Sequence, residues 1–207
     1  MFAVWVSLAV VAVLAAVAVL VVTINNRPAA EAVVPESISI GEGADTVDVW
    51  FDFYCPHCQV FEDQYGPTIE ELIDSGDITL NLHPVALSGL NAASGTQFSE
   101  RSGGALHCVA EAAPEATLDF FQQLFALNPS GAGLTDGDLA ALASQTGADA
   151  ASDCIADGMY RPFVIDQAAE LPTDPATEGA GTPTLLVNGE YIAITGSPQA
   201  DILERIG

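Results

Sequence analysis

The four residues Cys55-Pro56-His57-Cys58 carry the strongest chemical signal in the chain: two thiols three positions apart, where a strand pattern gives way to a helix pattern. Such a pair can be half of a zinc site, a haem attachment, a structural disulfide or a redox dithiol. Haem attachment needs a histidine directly after the second cysteine, and Gln59 stands there. Structural zinc usually recruits a second closely spaced Cys or His pair, whereas Cys108 and Cys154 lie far apart with only His107 as a neighbouring ligand. The redox dithiol is therefore favoured over zinc and over an inert disulfide, and no metal or cofactor is called for.

The physics of a helix start supports that order. Unpaired backbone N–H groups and the positive end of the macrodipole stabilise a thiolate there, so Cys55 is the expected nucleophile. Pro56 suits the first turn because it has no N–H to lose. His57 either adds a donor or a positive charge beside the sulfur or is a plain surface imidazole. Cys58, a turn deeper, suits resolution of a mixed disulfide. A thiolate lowered in energy favours the dithiol over the disulfide, which makes the disulfide the stronger oxidant.

Several elements must position these thiols. Val47 to Tyr54 is apolar on both faces, as a central strand is, and ends at the cysteines. Phe61, Tyr65, Ile69, Leu72 and Ile73 then fall at helical spacing, with Gly66-Pro67 as a kink and Ser75-Gly76 as the stop. Ile78 to Leu82 alternates as a second strand, which completes a β-α-β unit. Helical patterns follow at 97–112, 116–127, 138–146, 150–157 and 160–171, with Thr135 and Asp138 at capping-box spacing. Phe120, Phe121, Leu124 and Phe125 are read as core of this helical block rather than as a peptide groove. Strands return as a hairpin, Thr184–Val187 and Tyr191–Ile194 about an Asn188-Gly189 turn, and Ser197-Pro198 opens a last helix.

Charge and hydropathy bound the partners. Against 28 acidic residues stand four arginines and no lysine, a formal charge of -24, which argues against tracking nucleic-acid phosphates or anionic lipid headgroups. Residues 2–22 carry Ser7 as their only polar side chain and would span roughly 31 Å as a helix, the thickness of bilayer hydrocarbon. An uncleaved transmembrane anchor over 1–24 is preferred to a cleavable signal peptide. Arg27 after the span is a weak vote for the opposite orientation. The expected organisation is an anchor at 1–24, a linker at 25–45, a first sheet part at 46–86, a helical insert at 87–170 and a second sheet part at 171–207.

The segment Phe51-Asp52-Phe53-Tyr54-Cys55-Pro56-His57-Cys58, the helical block after a β-α-β unit, and Gly181-Thr182-Pro183-Thr184-Leu185-Leu186-Val187-Asn188-Gly189 together resemble the DsbA-like disulfide oxidoreductases of the thioredoxin superfamily. The resemblance covers nearly everything beyond the anchor. It implies an α/β thioredoxin fold with an inserted all-helical subdomain, Cys55 attacking and Cys58 resolving. It further implies a cis peptide at Thr182-Pro183, facing the dithiol, where the Thr182 backbone would pair with a substrate strand. The chain departs from many relatives in one respect: six positions before the nucleophile, where they carry an acid, stands Val49, flanked by Asp48 and Asp52. Asp52 matches an acid common in the DsbA-like branch; it is either a proton relay or a solvated carboxylate at a strand end.

Cys108 and Cys154 then resemble the second, structural disulfide of some actinobacterial relatives, the alternative being two free buried thiols. A stable disulfide requires an oxidising compartment, which places the domain outside the cytoplasm on a single-pass anchor. The resulting expectation is a monomeric, membrane-tethered enzyme that introduces disulfides into reduced exported proteins or peptides and is reoxidised by a membrane partner. A reductase or isomerase in the same compartment, and a non-catalytic binding module or chaperone, are the alternatives. His83 and His107 are read as ordinary polar residues.

Overall fold

The computed structural model describes residues 36–207; the expected anchor and most of the expected linker lie outside them. Five strands form one mixed sheet in the order β1-β3-β2-β4-β5: β1 Ile38–Ile40, β2 Asp45–Phe51, β3 Ile78–Pro84, β4 Thr184–Val187 and β5 Glu190–Ile192. The central strand β2 runs parallel to β3, with Val49 opposite Leu82, and antiparallel to β4, with Val49 opposite Leu185. Between β2 and β3 runs the crossover helix α1, Pro56–Ser75, which continues through Gly66-Pro67. Gly76 closes it in the left-handed conformation, its N–H bonded to Ile73 O, while Asp77 N–H bonds Leu72 O.

Both faces of β2 are covered, the reason its sequence is apolar throughout. Val49 faces α1 together with Leu80 and Leu82, and Phe51 meets Phe121 edge to face at 4.9 Å. On the opposite face Trp50 stacks on His83 at 3.9 Å, and His83 Nε2 lies 3.1 Å from the Asp48 carboxylate. The insert supplies α2 Ser88–Ala93, α3 Phe98–Ala112, α4 Thr117–Ala126, α5 Asp136–Gln145, α6 Ser152–Asp157 and α7 Arg161–Gln167. Phe120, Phe121, Leu124 and Phe125 of α4 are all buried, so they are core and not groove. The capping box at Thr135 and Asp138 is present in both directions. Gly103 lets α3 press against α7 and the end of β3: a Cβ there would lie 2.7 Å from Val164 Cγ1.

Four sequence expectations change. Residues 38–40 are not linker but the edge strand β1, antiparallel to β3, because its three residues are too few to show a period and their hydrogen-bond partners lie about Leu82, far along the chain. The strand read to Tyr54 stops at Phe51, since Asp52 turns the chain: its carbonyl accepts the Cys55 N–H and its carboxylate accepts the Tyr54 N–H. The short α2 had no sequence signal, being one and a half turns without a buried residue. The last helix is a π-type turn, Gln199–Leu203, tied to α1 by the buried Asp201, which accepts from the Tyr65 hydroxyl and from the Thr195 N–H at 2.8 Å.

Candidate active site

Cys55 is the N-cap of α1, and the structure holds both Cys55 and Cys58 as free, buried thiols. Two turns of backbone set this geometry. The Cys55 N–H donates to Asp52 O at 2.9 Å, and the Cys58 N–H donates to Cys55 O at 3.0 Å, so the helix begins with both sulfurs on its inner side. Opposite them the Thr182-Pro183 peptide bond is cis, and the Cys55 thiol donates to Thr182 O at 3.5 Å. The Thr182 hydroxyl is buried without a partner of its own and lies where it can donate to a Cys55 thiolate.

The two sulfurs are electrically unlike. A hydrogen bond from Cys58 is the main reason the Cys55 thiol falls from its usual 9 to about 5; burial opposes it, and Thr182 with the backbone N–H groups of Cys58 and His57 adds to it. Burial above all, and then the same bond seen from the other side, push the Cys58 thiol well above its ordinary value. The pair is thus one thiolate and one thiol at neutral pH, the state from which attack on a disulfide starts. Pro56 and His57 are exposed; what His57 gives the sulfur is its backbone N–H.

The acids flanking Val49 separate. Asp48 is committed to His83 on the far face of the sheet. Asp52 is 1% exposed, and its oxygens accept the N–H groups of Tyr54 at 2.9 Å and Leu87 at 3.0 Å. Ser99 has its buried hydroxyl close by without closing a standard bond. Burial chiefly, with the Cys55 charge as a lesser cause, raises the Asp52 carboxyl to about 6. Toward the Cys58 sulfur Asp52 turns its backbone N–H. The Leu87 and Ser99 contacts were not visible in sequence, because they come from segments that only folding brings beside residue 52.

Away from the dithiol, Cys108 of α3 and Cys154 of α6 form a disulfide with Cα atoms 5.7 Å apart. His107 is buried between Tyr160 and Phe163, and burial lowers it to about 4, so it is a neutral packing group. Val60, 50% exposed, is an apolar side chain on the surface of α1 two residues beyond Cys58.

A family model described as thioredoxin matches residues 34–204. Reduced DsbA from Mycobacterium tuberculosis is 28% identical, with a TM-score of 0.70 over 80% of this chain and 88% of that one. Reduced DsbG, a disulfide bond oxidoreductase from the same organism, is 28% identical, with a TM-score of 0.68 over 81% of this chain and 86% of that one. MdbA, a thiol-disulfide oxidoreductase from Actinomyces oris, is 24% identical, with a TM-score of 0.62 over 80% of this chain and 82% of that one, a likeness of fold. No curated protein matches at a significant level.

Proposed function

The chain belongs to the thioredoxin family, as a DsbA-like thiol-disulfide oxidoreductase, and on that premise we propose that it works in the oxidising direction, giving its Cys55–Cys58 disulfide to exported proteins. The observation that carries the direction is the split between the two sulfurs, Cys55 at about 5 and Cys58 well above its ordinary value. A thiolate held that low is stabilised only when the pair is reduced, so the disulfide is the high-energy partner and passes readily to a client. A client thiolate attacks the Cys55 sulfur, Cys58 leaves, and a client–Cys55 mixed disulfide forms. A second client thiolate then attacks the client sulfur of that bond, and Cys55 departs as the stabilised thiolate. The client gains a disulfide and the enzyme is left as a dithiol. The cis Thr182-Pro183 bond places the Thr182 carbonyl beside Cys55, where an extended client chain would pair with the backbone.

The compartment belongs to the same proposal. A Cys108–Cys154 disulfide suits an oxidising space. The apolar stretch at 2–22 would tether a monomeric catalytic domain to the outer side of the cell membrane, beside a membrane partner that reoxidises the dithiol. Among the described residues no helix is long and apolar enough to cross a membrane. The large negative charge, -24, favours neutral or cationic clients.

Trapping cellular thiols with acid and alkylating them tests the direction. An oxidase is recovered mostly as the Cys55–Cys58 disulfide, whereas recovery mostly as the dithiol would make it a reductase or isomerase. Failure of the pair to interconvert with glutathione at any potential would leave a binding module.

A further inference from the structure

On the face of the sheet opposite α1, a cavity of about 390 Å³ opens between β2, β3 and α7, a volume within the range of small-ligand sites. Its floor is the stacked pair Trp50 and His83, both buried, with Phe163 of α7 half-buried beside them. Three exposed carboxylates form its rim: Glu36 ahead of β1, Asp166 on α7 and Glu170 just past it. None of the three has a counter-charge among the described residues. Arg101 and Arg161 both grip Asp136, and the Arg205 Nε donates to the Ala200 carbonyl. His83 shares its Nε2 with Asp48, so that pair adds no net positive charge whichever way the ring is protonated.

Acids on a surface are ordinarily just solvated, but a buried group in the same cavity also lacks a partner. Gln167 is 6% exposed; its amide nitrogen donates to the Glu36 carbonyl, while its Oε1 accepts nothing. A buried amide oxygen without a donor costs stability. The cavity therefore lacks both a positive charge and a hydrogen-bond donor. A guanidinium supplies the two together: it is a planar, weakly hydrated cation with a fork of N–H donors, and it packs well against aromatic rings. A quaternary ammonium would bring the charge without the donor.

We propose that this cavity is a binding site for the arginine side chain of an outside peptide. The guanidinium packs against Trp50 and Phe163, donates to Gln167 Oε1 and is balanced by Glu36, Asp166 and Glu170. The excess of 28 acidic residues over four arginines draws such a peptide from solution. The site does not depend on the redox chemistry of Cys55 and Cys58.

Calorimetric titration of N-acetyl-arginine amide into the oxidised full-length protein, held in a neutral detergent, tests the site. Saturable binding at low salt is expected, weakened at high salt because the rim carboxylates are exposed. N-acetyl-citrulline amide has the shape without the charge, and tetramethylammonium has the charge without an N–H; each should bind at least about fivefold more weakly. Asp166→Asn combined with Glu170→Gln, at two exposed positions that spare the fold, should weaken arginine amide by about fivefold. Gln167→Met should weaken arginine amide and leave tetramethylammonium unchanged. Citrulline amide binding as well as arginine amide, or wild-type affinity in both the double variant and Gln167→Met, overturns the proposal. Binding that appears only after Arg27→Gln would give the cavity to this chain's own N-terminal stretch and overturn the outside peptide. No saturable binding with or without Arg27→Gln would remove the site altogether.

Discussion

At the scale of single residues, the chemistry depends on an unequal sharing of one proton between two sulfurs. Neither cysteine has this property alone: the hydrogen bond from Cys58 is the largest cause of the low Cys55 value, ahead of Thr182 and the helix-start N–H groups. Replacing Cys58 by Ala should therefore raise the Cys55 midpoint above about 5, by one unit or more, in iodoacetamide kinetics against pH. The same variant should accumulate mixed disulfides through Cys55, since no resolving thiol remains. An unchanged midpoint would assign the activation to the helix start instead. Motif spacing revealed which sulfur is at the helix start; the Thr182 hydroxyl and the Leu87 N–H on Asp52 depended on contacts across the fold.

Among the elements, the insert and the sheet have separable tasks. The sheet and α1 hold the dithiol against the cis-proline loop, while the second disulfide ties α3 to α6 at a sequence separation of 46. On the chain-entropy model that cross-link stabilises the fold by about 4 kcal/mol. Replacing both Cys108 and Cys154 by Ser should lower the thermal midpoint by many degrees, while Cys55 keeps its alkylation profile in the folded protein. A loss of thiol reactivity at unchanged stability would show that the insert shapes the site directly. The helix α4 was legible because it buries one continuous face, Phe120, Phe121, Leu124 and Phe125, whereas α3 is enclosed nearly all round, with Ser102 to Val109 all buried. By contrast, β1 and α2 were not legible, because three and six residues carry too little pattern and their stability comes from partners distant in sequence.

For the whole molecule, redox state and stability are linked through the same thiolate. The folded Cys55 value lies below the unfolded one, so its contribution is fully present above about 9 and is lost as pH falls through about 5. Only the reduced protein has this term. Asp52, raised to about 6, acts with the opposite sign, stabilising most below its unfolded value and losing that as pH rises through 6, but it does so in both redox forms and largely cancels in their difference. The reduced form should accordingly gain on the oxidised form as pH rises from 5 toward 9, measured as the gap between their thermal midpoints. A gap independent of pH would mean that the thiolate is not stabilised by the fold.

By itself the sequence determined the reactive pair, the β-α-β unit that carries it, the hairpin and the helical character of the insert, because each is encoded in local spacing: a turn of helix between two cysteines, a period of two or of 3.6. Tertiary structure alone decided which carboxylates meet which partners. Asp48 turned to His83, and Asp52 to Tyr54 and Leu87. Burial and proton affinity are set by everything that surrounds a side chain, and most of what surrounds these acids comes from chain that is remote in sequence.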